Sequence, residues 1–411
     1  MQARFGEYGF EMEVLLMNRT SFLAVVSLTL GHLVTDLQAG ALPIVLPHLK
    51  ELFNLTYAQM ATIVLTQNVT SSVIQPVFGY ITDKKSKPNL LPFCAALAGA
   101  GFAAIGWATS YAMILMTVII IGVSSATYHP QASKTVNFLS AEDSKAKNMG
   151  LFSLGGKAGM AVGSMMMTFL LALEGGLHNT MYFVLPGLLV FGMMMHYMPE
   201  YKRVNIEHSL KQAVSKVKKQ NAKLSYFGLF LLLFFIFLRS TVHTGLSTYL
   251  PLFFMRFRDC EAIFASLLVT VFLLGGVAGT YLGAVLSDRF GTRAIVFGSM
   301  LMSIIPVWMM DRVYSEAAII VNVGLAGFLV VASSAASIVL AQTMLPNNVG
   351  MAAGLTIGFS VGLGGLGVTG LGVLADNMGL PFTMQTMTVL TVLGALVAFK
   401  LPIPESLRKK F

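Results

Sequence analysis

Long apolar runs follow one another along almost the whole chain, cut only where charged residues or proline- and asparagine-containing breaks intervene. They predict twelve helical spans, near residues 20–46, 57–82, 89–108, 111–137, 148–173, 178–198, 225–254, 261–287, 293–310, 315–342, 348–375 and 380–402. Each is close to the roughly 20 residues with which a helix crosses a hydrocarbon core about 30 Å thick. The run after Arg19 is too long, and too broken by Pro43 and Pro47, for a cleavable signal, so it is read as span one. One long polar stretch, residues 199–224, carries Lys202, Arg203, Lys211, Lys216, Lys218, Lys219 and Lys223. It separates an N-terminal six-helix bundle, residues 1–198, from a C-terminal one, residues 225–411. The expected fold class is therefore an all-α membrane protein, with twelve transmembrane helices in two pseudo-symmetric six-helix bundles.

Composition agrees. Of 411 residues, 55% are hydrophobic and 11% charged, roughly half the charged fraction of a soluble domain, which excludes a conventional cytosolic enzyme. A net charge of +9 would suggest nucleic acid in a soluble protein, but here its placement across a membrane carries the information, and no nucleic-acid partner is expected. With both termini in the cytoplasm, the inner segments hold Arg4, Arg19, Lys84, Lys85, Lys87, Lys134, Lys145, Lys147, Arg289, Arg293, the basic linker, Lys400, Arg408, Lys409 and Lys410. The outer loops keep only Lys50, Arg256, Arg258 and Arg312, an asymmetry that follows the positive-inside rule. Cys94 and Cys260 form neither a disulfide framework nor a metal motif, and no cofactor is expected.

The halves repeat. GYITDKKSKP places Asp83 at the end of span two, and GAVLSDRFGTR places Asp288 at the end of span eight, about 205 residues later. Asn148 and Gly150 open span five much as Asn348 and Gly350 open span eleven. Duplicated halves with a site near the midplane between them are a transporter architecture. Spans five, eight and eleven carry glycine every fourth residue, at Gly155, Gly159 and Gly163, at Gly275, Gly279 and Gly283, and at Gly354, Gly358 and Gly362. Such stripes let helix backbones approach, either as fixed packing or as a sliding surface. A dinucleotide fingerprint at Gly362, Gly364 and Gly367 and a nucleophile elbow at Ser360 both fall inside an apolar helix, where neither has its chemistry.

An ionisable side chain at a helix centre costs about 2.5–3.5 kcal/mol on insertion scales, so it needs a partner or a wet cavity. Six stand out: His32 and Asp36 in span one, His129 in span four, Lys157 in span five, and Arg239 and His243 in span seven. His32 and Asp36 share one helix face by their spacing, as do Arg239 and His243. Their matched depths before Pro47 and Pro251 predict an acid on span one facing a guanidinium on span seven. Asp36 helped by His32 is the candidate proton-coupling pair. Arg239, His243, Lys157, His129, Gln38 and Gln67 are the candidate substrate-binding set, suited to an anion because arginine grips a carboxylate or phosphonate with two hydrogen bonds. The competing reading is structural, with Asp36 paired permanently to Lys157 or Arg239, and with His129 and Pro130 only kinking a helix. Asp83, Asp288 and Arg289, at the membrane border, are read as a conformational latch.

Asp83 and Asp288 stand where the loop motif of the major facilitator superfamily is found, with Ser86 in place of a motif glycine in the first copy and Ala284 in the second. The stretches GHLVTDLQAGALPIVLP, SSVIQPVFGYITDK, SSATYHPQASK, RSTVHTGLSTYLP and AQTMLPNNVGMAAGLTIGFSVGLGGLGVTGLGVLAD resemble the fosmidomycin resistance branch of bacterial efflux transporters. His32, Asp36, His129 and Pro130 match its most specific pieces, while Gln131 stands where the branch often has an acid. Ser164 follows Gly163 where the antiporter motif has proline. The resemblance implies proton-driven export of a small molecule, such as a phosphonate antibiotic, from the cytoplasm through the bacterial inner membrane by alternating access. Two alternatives stay open: a proton-coupled importer of an organic anion, and a membrane-embedded enzyme or sensor. The last is disfavoured because the chain has no metal-ligand run, no nucleophile with a credible base and no appended soluble domain.

Overall fold

The computed structural model describes residues 2–55, 57–217, 226–402 and 404, and among them every regular element is a helix. The first, α1 (Gln2–Phe53), starts well before the apolar run. The span expected at 57–82 comes in three pieces: α2 (Tyr57–Asn68), a π-helical turn (Val69–Val73) and α3 (Gln75–Lys84). Hydroxyls crowd this turn and bond back to the preceding carbonyls, Thr70 Oγ1 to Thr66 at 2.7 Å and Ser71 Oγ to Asn68 at 3.3 Å. Pro76 then withholds an N–H, so the regular ladder gives way.

Next come α4 (Leu90–Ala103), α5 (Tyr111–Leu139), α6 (Lys145–Ala172) and α7 (Val184–His196). The polar stretch expected to be a linker is helical through Val217, as α8 (Met198–Val217). Lys218, Lys219 and Lys223, like Arg408, Lys409 and Lys410, lie outside the described residues. Ser21 donates to Glu200 at 2.8 Å and Arg203 pairs with it at 2.6 Å, fastening α8 to α1. The hydrogen bonds from Arg203 hold the Glu200 carboxyl below the usual carboxylate range.

The second half of the chain builds α9 (Tyr226–Phe257), α10 (Ala262–Phe290), α11 (Thr292–Trp308), α12 (Glu316–Val331), α13 (Ser334–Met344) and α14 (Val349–Lys400). Together α12 and α13 form the span expected at 315–342. The last two expected spans run together as α14, kinked at Gly379, whose φ of 83° is open to glycine, just before Pro381. By length and composition, ten helices among the described residues are long and apolar enough to cross a membrane. The broken second span and the fused last pair account for the difference from twelve.

Glycine stripes govern the packing inside each half. A Cβ at Gly155, Gly159 or Gly163 of α6 would strike the carbonyls of Thr29, Leu33 or Leu37 of α1. One at Gly275, Gly279 or Gly283 of α10 would strike those of Gly324, Phe328 or Ala332. Backbones thus lie against backbones within a half, which is fixed packing. The third stripe crosses between halves, with Gly354 against Gln75 and Gly358 against Ser72. One turn further along that face, Gly362 has open space. The halves therefore close on each other at the end that carries Asp83 and Asp288, where Ala284, Ala335, Val339 and Ala353 join the first half's core, and they part beyond Gly358.

Candidate functional site

Two polar clusters sit beside α6. The first is acidic. The Asp36 carboxylate pairs with His32 Nε2 at 3.3 Å, one helical turn away on α1, and with His129 Nε2 at 3.1 Å on α5. Side-chain exposure is 16% for Asp36 against 8% and 6% for the two histidines, so Asp36 is the least buried of the three. His32 stacks on the Phe152 ring at 4.2 Å and lies edge-on to His129 at 4.7 Å. Gly156 makes room for the pair: a Cβ there would strike His32 Nε2 and stand 2.7 Å from Asp36 Oδ2.

The hydrogen bonds fix where protons lie. His32 Nδ1 is 2.7 Å from the Phe152 carbonyl, which can only accept, so Nδ1 carries a hydrogen. The His32 Nε2 lone pair then faces Asp36 Oδ2, and the contact is favourable only with one proton between them. On the other side, the Gln75 amide nitrogen donates to His129 Nδ1 at 3.2 Å, which leaves Nε2–H of His129 to donate to Asp36 Oδ1. Ser125 Oγ also lies 3.2 Å from His129 Nδ1. The cluster thus gathers two imidazoles on one carboxylate in a part-buried site.

The second cluster is cationic. Lys157 follows Gly156 on α6 and lies in electrostatic range of both Arg239 and His243 on α9. Arg239 is 6% exposed, and its guanidinium reaches the Ser333 and Ser337 hydroxyls at 3.4 Å each. His243 rests 5.4 Å from the Phe272 ring. Among the described residues no ion pair includes Lys157 or Arg239. Two cations left in one part-buried region without a carboxylate beside either are electrostatically costly.

At the closed end, Asp83 accepts from the amides of Gly350 at 2.9 Å and Met351 at 2.8 Å, the first turn of α14. It pairs with Lys134 at 3.3 Å. Asp288 accepts from the Ala146 amide at 3.1 Å and from that of Lys147, the first turn of α6. Each carboxylate caps a helix of the opposite half, where the helix dipole favours negative charge. Asn137 and Ser133 of α5 bond Gln342 of α13 at 2.9 and 3.1 Å alongside. A separate cleft of about 600 Å³ lies between Ser86–Leu90 and Lys202–Leu210, away from both clusters.

Several sequence expectations need adjustment. The Asp36 partners are the two histidines, and it is Lys157 that stands against Arg239. His129, expected with the substrate residues, pairs with Asp36. Gln38 is fully buried with both amide atoms unpartnered, and Gln67 is buried on α2. Arg289 is exposed over the Phe290 ring while its neighbour Asp288 makes the cap. Sequence reasoning missed Gly156, one position off the stripe, and the pairing of Lys134 with Asp83, while Gln75, one of the polar residues expected to line the path or bridge helices, bridges to His129.

Comparison with known proteins decides the family. Residues 28–261 match the pattern described as Major Facilitator Superfamily. The chain belongs to the Major Facilitator Superfamily. As a member of this family of multi-pass membrane transporters, it is a transporter and not an enzyme. It is 31% identical to an uncharacterized MFS-type transporter, YfnC of Bacillus subtilis, over 95% of each chain. It is also 28% identical to the fosmidomycin resistance protein of Escherichia coli, again over 95% of each. Among solved structures, FucP, an Escherichia coli fucose:proton symporter, in its outward conformation superposes with a TM-score of 0.71. That match covers 93% of this chain and 100% of FucP at 15% identity, a likeness of fold.

Proposed function

We propose that this transporter exports a small organic anion, phosphonate-like in its charge, by alternating access with proton antiport across the bacterial cytoplasmic membrane. One observation carries the reading: among the described residues neither Lys157 nor Arg239 has a carboxylate partner, and Lys157 follows directly on the Gly156 that packs against Asp36 and His32 of α1. With both termini and the Asp83 and Asp288 caps on the cytoplasmic side, the described conformation is shut to the cytoplasm. In this state Asp36 takes a proton from outside onto the Asp36–His32 contact. The halves rock, the caps release, and the proton leaves inward while an anion binds Lys157 and Arg239 from the cytoplasm. The next swing carries the anion out. Each elementary charge moved is worth about 2.3 kcal/mol per 100 mV, so an entering proton and a leaving anion both run downhill in a cell with a negative interior. The relative named for fosmidomycin resistance supports the outward direction.

Reconstitution tests the proposal with a panel of phosphonates, carboxylates and lipophilic cations. Asp36→Asn is expected to abolish substrate-driven proton flux while leaving anion binding within about a factor of two, and undiminished flux would remove Asp36 from the mechanism. Arg239→Ala is expected to weaken anion binding by about tenfold or more, the order of a charge-assisted hydrogen bond at about 1.5–3 kcal/mol. Equal binding by both forms, or a preference for cations, would refute the anion assignment. Uptake by everted but not right-side-out vesicles is the expected sign of export.

A further inference from the structure

We infer that His32, Asp36 and His129 form a binding site for a divalent transition metal of the zinc and cobalt class. Each residue presents one ligand atom, and the three atoms lie within 4.8 Å of one another. His32 Nε2 lies 3.3 Å from Asp36 Oδ2 and His129 Nε2 lies 3.1 Å from Oδ1, each close to the roughly 3.3 Å edge of a tetrahedron built on metal–ligand bonds of about 2.0–2.1 Å, so a small turn of the carboxylate brings one oxygen to both imidazoles. Two neutral imidazoles and one carboxylate are a borderline-soft donor set. They favour zinc or cobalt over magnesium or calcium, which take six or more oxygens.

The surroundings also fit. Metal-bound histidines direct their remote nitrogen to a fixed acceptor, which sets ring orientation and basicity. His32 already does so, with Nδ1–H on the Phe152 carbonyl at 2.7 Å and its ring held on the Phe152 face. For His129 the remote nitrogen sits 3.2 Å from Ser125 Oγ, which can accept. The partial exposure of Asp36 leaves a side for entry and a fourth position for water. A metal here takes the place of the proton between His32 and Asp36, which is released to solvent, and the His129 hydrogen moves from Nε2 to Nδ1, where Ser125 Oγ accepts it. Binding itself stands apart from the transport reading, whereas the consequence that the metal stalls transport rests on it.

The test titrates the untagged, full-length, chelator-stripped protein in detergent with cobalt(II). Expected are one saturable equivalent per chain with the intense visible bands of low-coordinate cobalt, displaced by zinc. His32→Gln, His129→Gln and Asp36→Asn should each bind about tenfold more weakly or worse, and Ser125→Ala at the lower end of the 10- to 100-fold range typical of supporting residues. No saturable band, or unchanged affinity in both histidine variants, would overturn the site. If the variants fail to fold, zinc-edge X-ray absorption of the wild type decides: two imidazoles and a carboxylate support the site, and an all-oxygen shell overturns it. In chelated proteoliposomes the wild type should couple protons to substrate, and zinc should block that coupling reversibly. Absence of coupling there would sink the transport reading while the cobalt titration still judged the site.

Discussion

Gly156 shows how much of the candidate site is set by the absence of a side chain. The His32 ring and the Asp36 carboxylate occupy the volume a methyl group would need, so Gly156→Ala must push them apart or push α6 off α1. Overpacking of this kind costs on the order of 1–3 kcal/mol. The variant is expected to lose thermal stability by about that much and to lose proton coupling while keeping anion affinity; a thermal melt and a binding isotherm on one preparation check both. The ionisable members of the site were legible in the sequence because charge at mid-bilayer is expensive and so conspicuous. Their pairing was not. Depth alone set Asp36 opposite Arg239, but the lateral arrangement of helices puts His129 of α5 beside the acid and Lys157 of α6 beside the guanidinium. Glycine has no cost in lipid to announce it, and Gly156 became visible only once α1 lay across it.

Among the elements, the two capped helices respond to pH through Asp83. Burial holds its carboxyl above the usual carboxylate range despite Lys134 and the two α14 amides. The closed end therefore binds a proton more tightly than a released, solvated Asp83 does. Closure gains from protonation in full below the usual range, and the gain fades as pH rises through the raised value. A cysteine placed at the buried Ala353 should accordingly be labelled more slowly at about pH 5 than at pH 7, relative to the same thiol in the unfolded chain. Asp83→Asn should flatten that dependence, and a slope unchanged by the substitution would assign it to another group. Element boundaries were readable wherever apolar runs ended in charge or at breaks containing proline or asparagine, as at Asn348 ahead of α14. They were unreadable where polarity and backbone disagree: the hydroxyl-rich turn after Asn68 stays wound as a π-helix, and the lysine-rich stretch after Met198 is helical through Val217.

For the whole molecule, the proposed alternating access makes closing one end and opening the other the same motion. Gly79 lies directly on the Gly350 and Met351 backbone, so Gly79→Val should pry α3 from α14. Labelling of a cysteine at Ala353 is then expected to rise while labelling of one at Gly362, now in open space, falls. Both rates rising together would mean a loosened protein rather than a rocking one. The duplication was visible as offsets between matching residues, and the structure supplies its physical content, since Asp83 reaches across to α14 as Asp288 reaches across to α6.

That crossed arrangement makes the two halves mutually dependent. Neither carries the acid that finishes its own helix, so a half expressed alone would leave a helix start bare and a carboxylate idle until its counterpart arrived. Two separately made fragments would thus recognise each other at the same doorway they later have to unlock in unison.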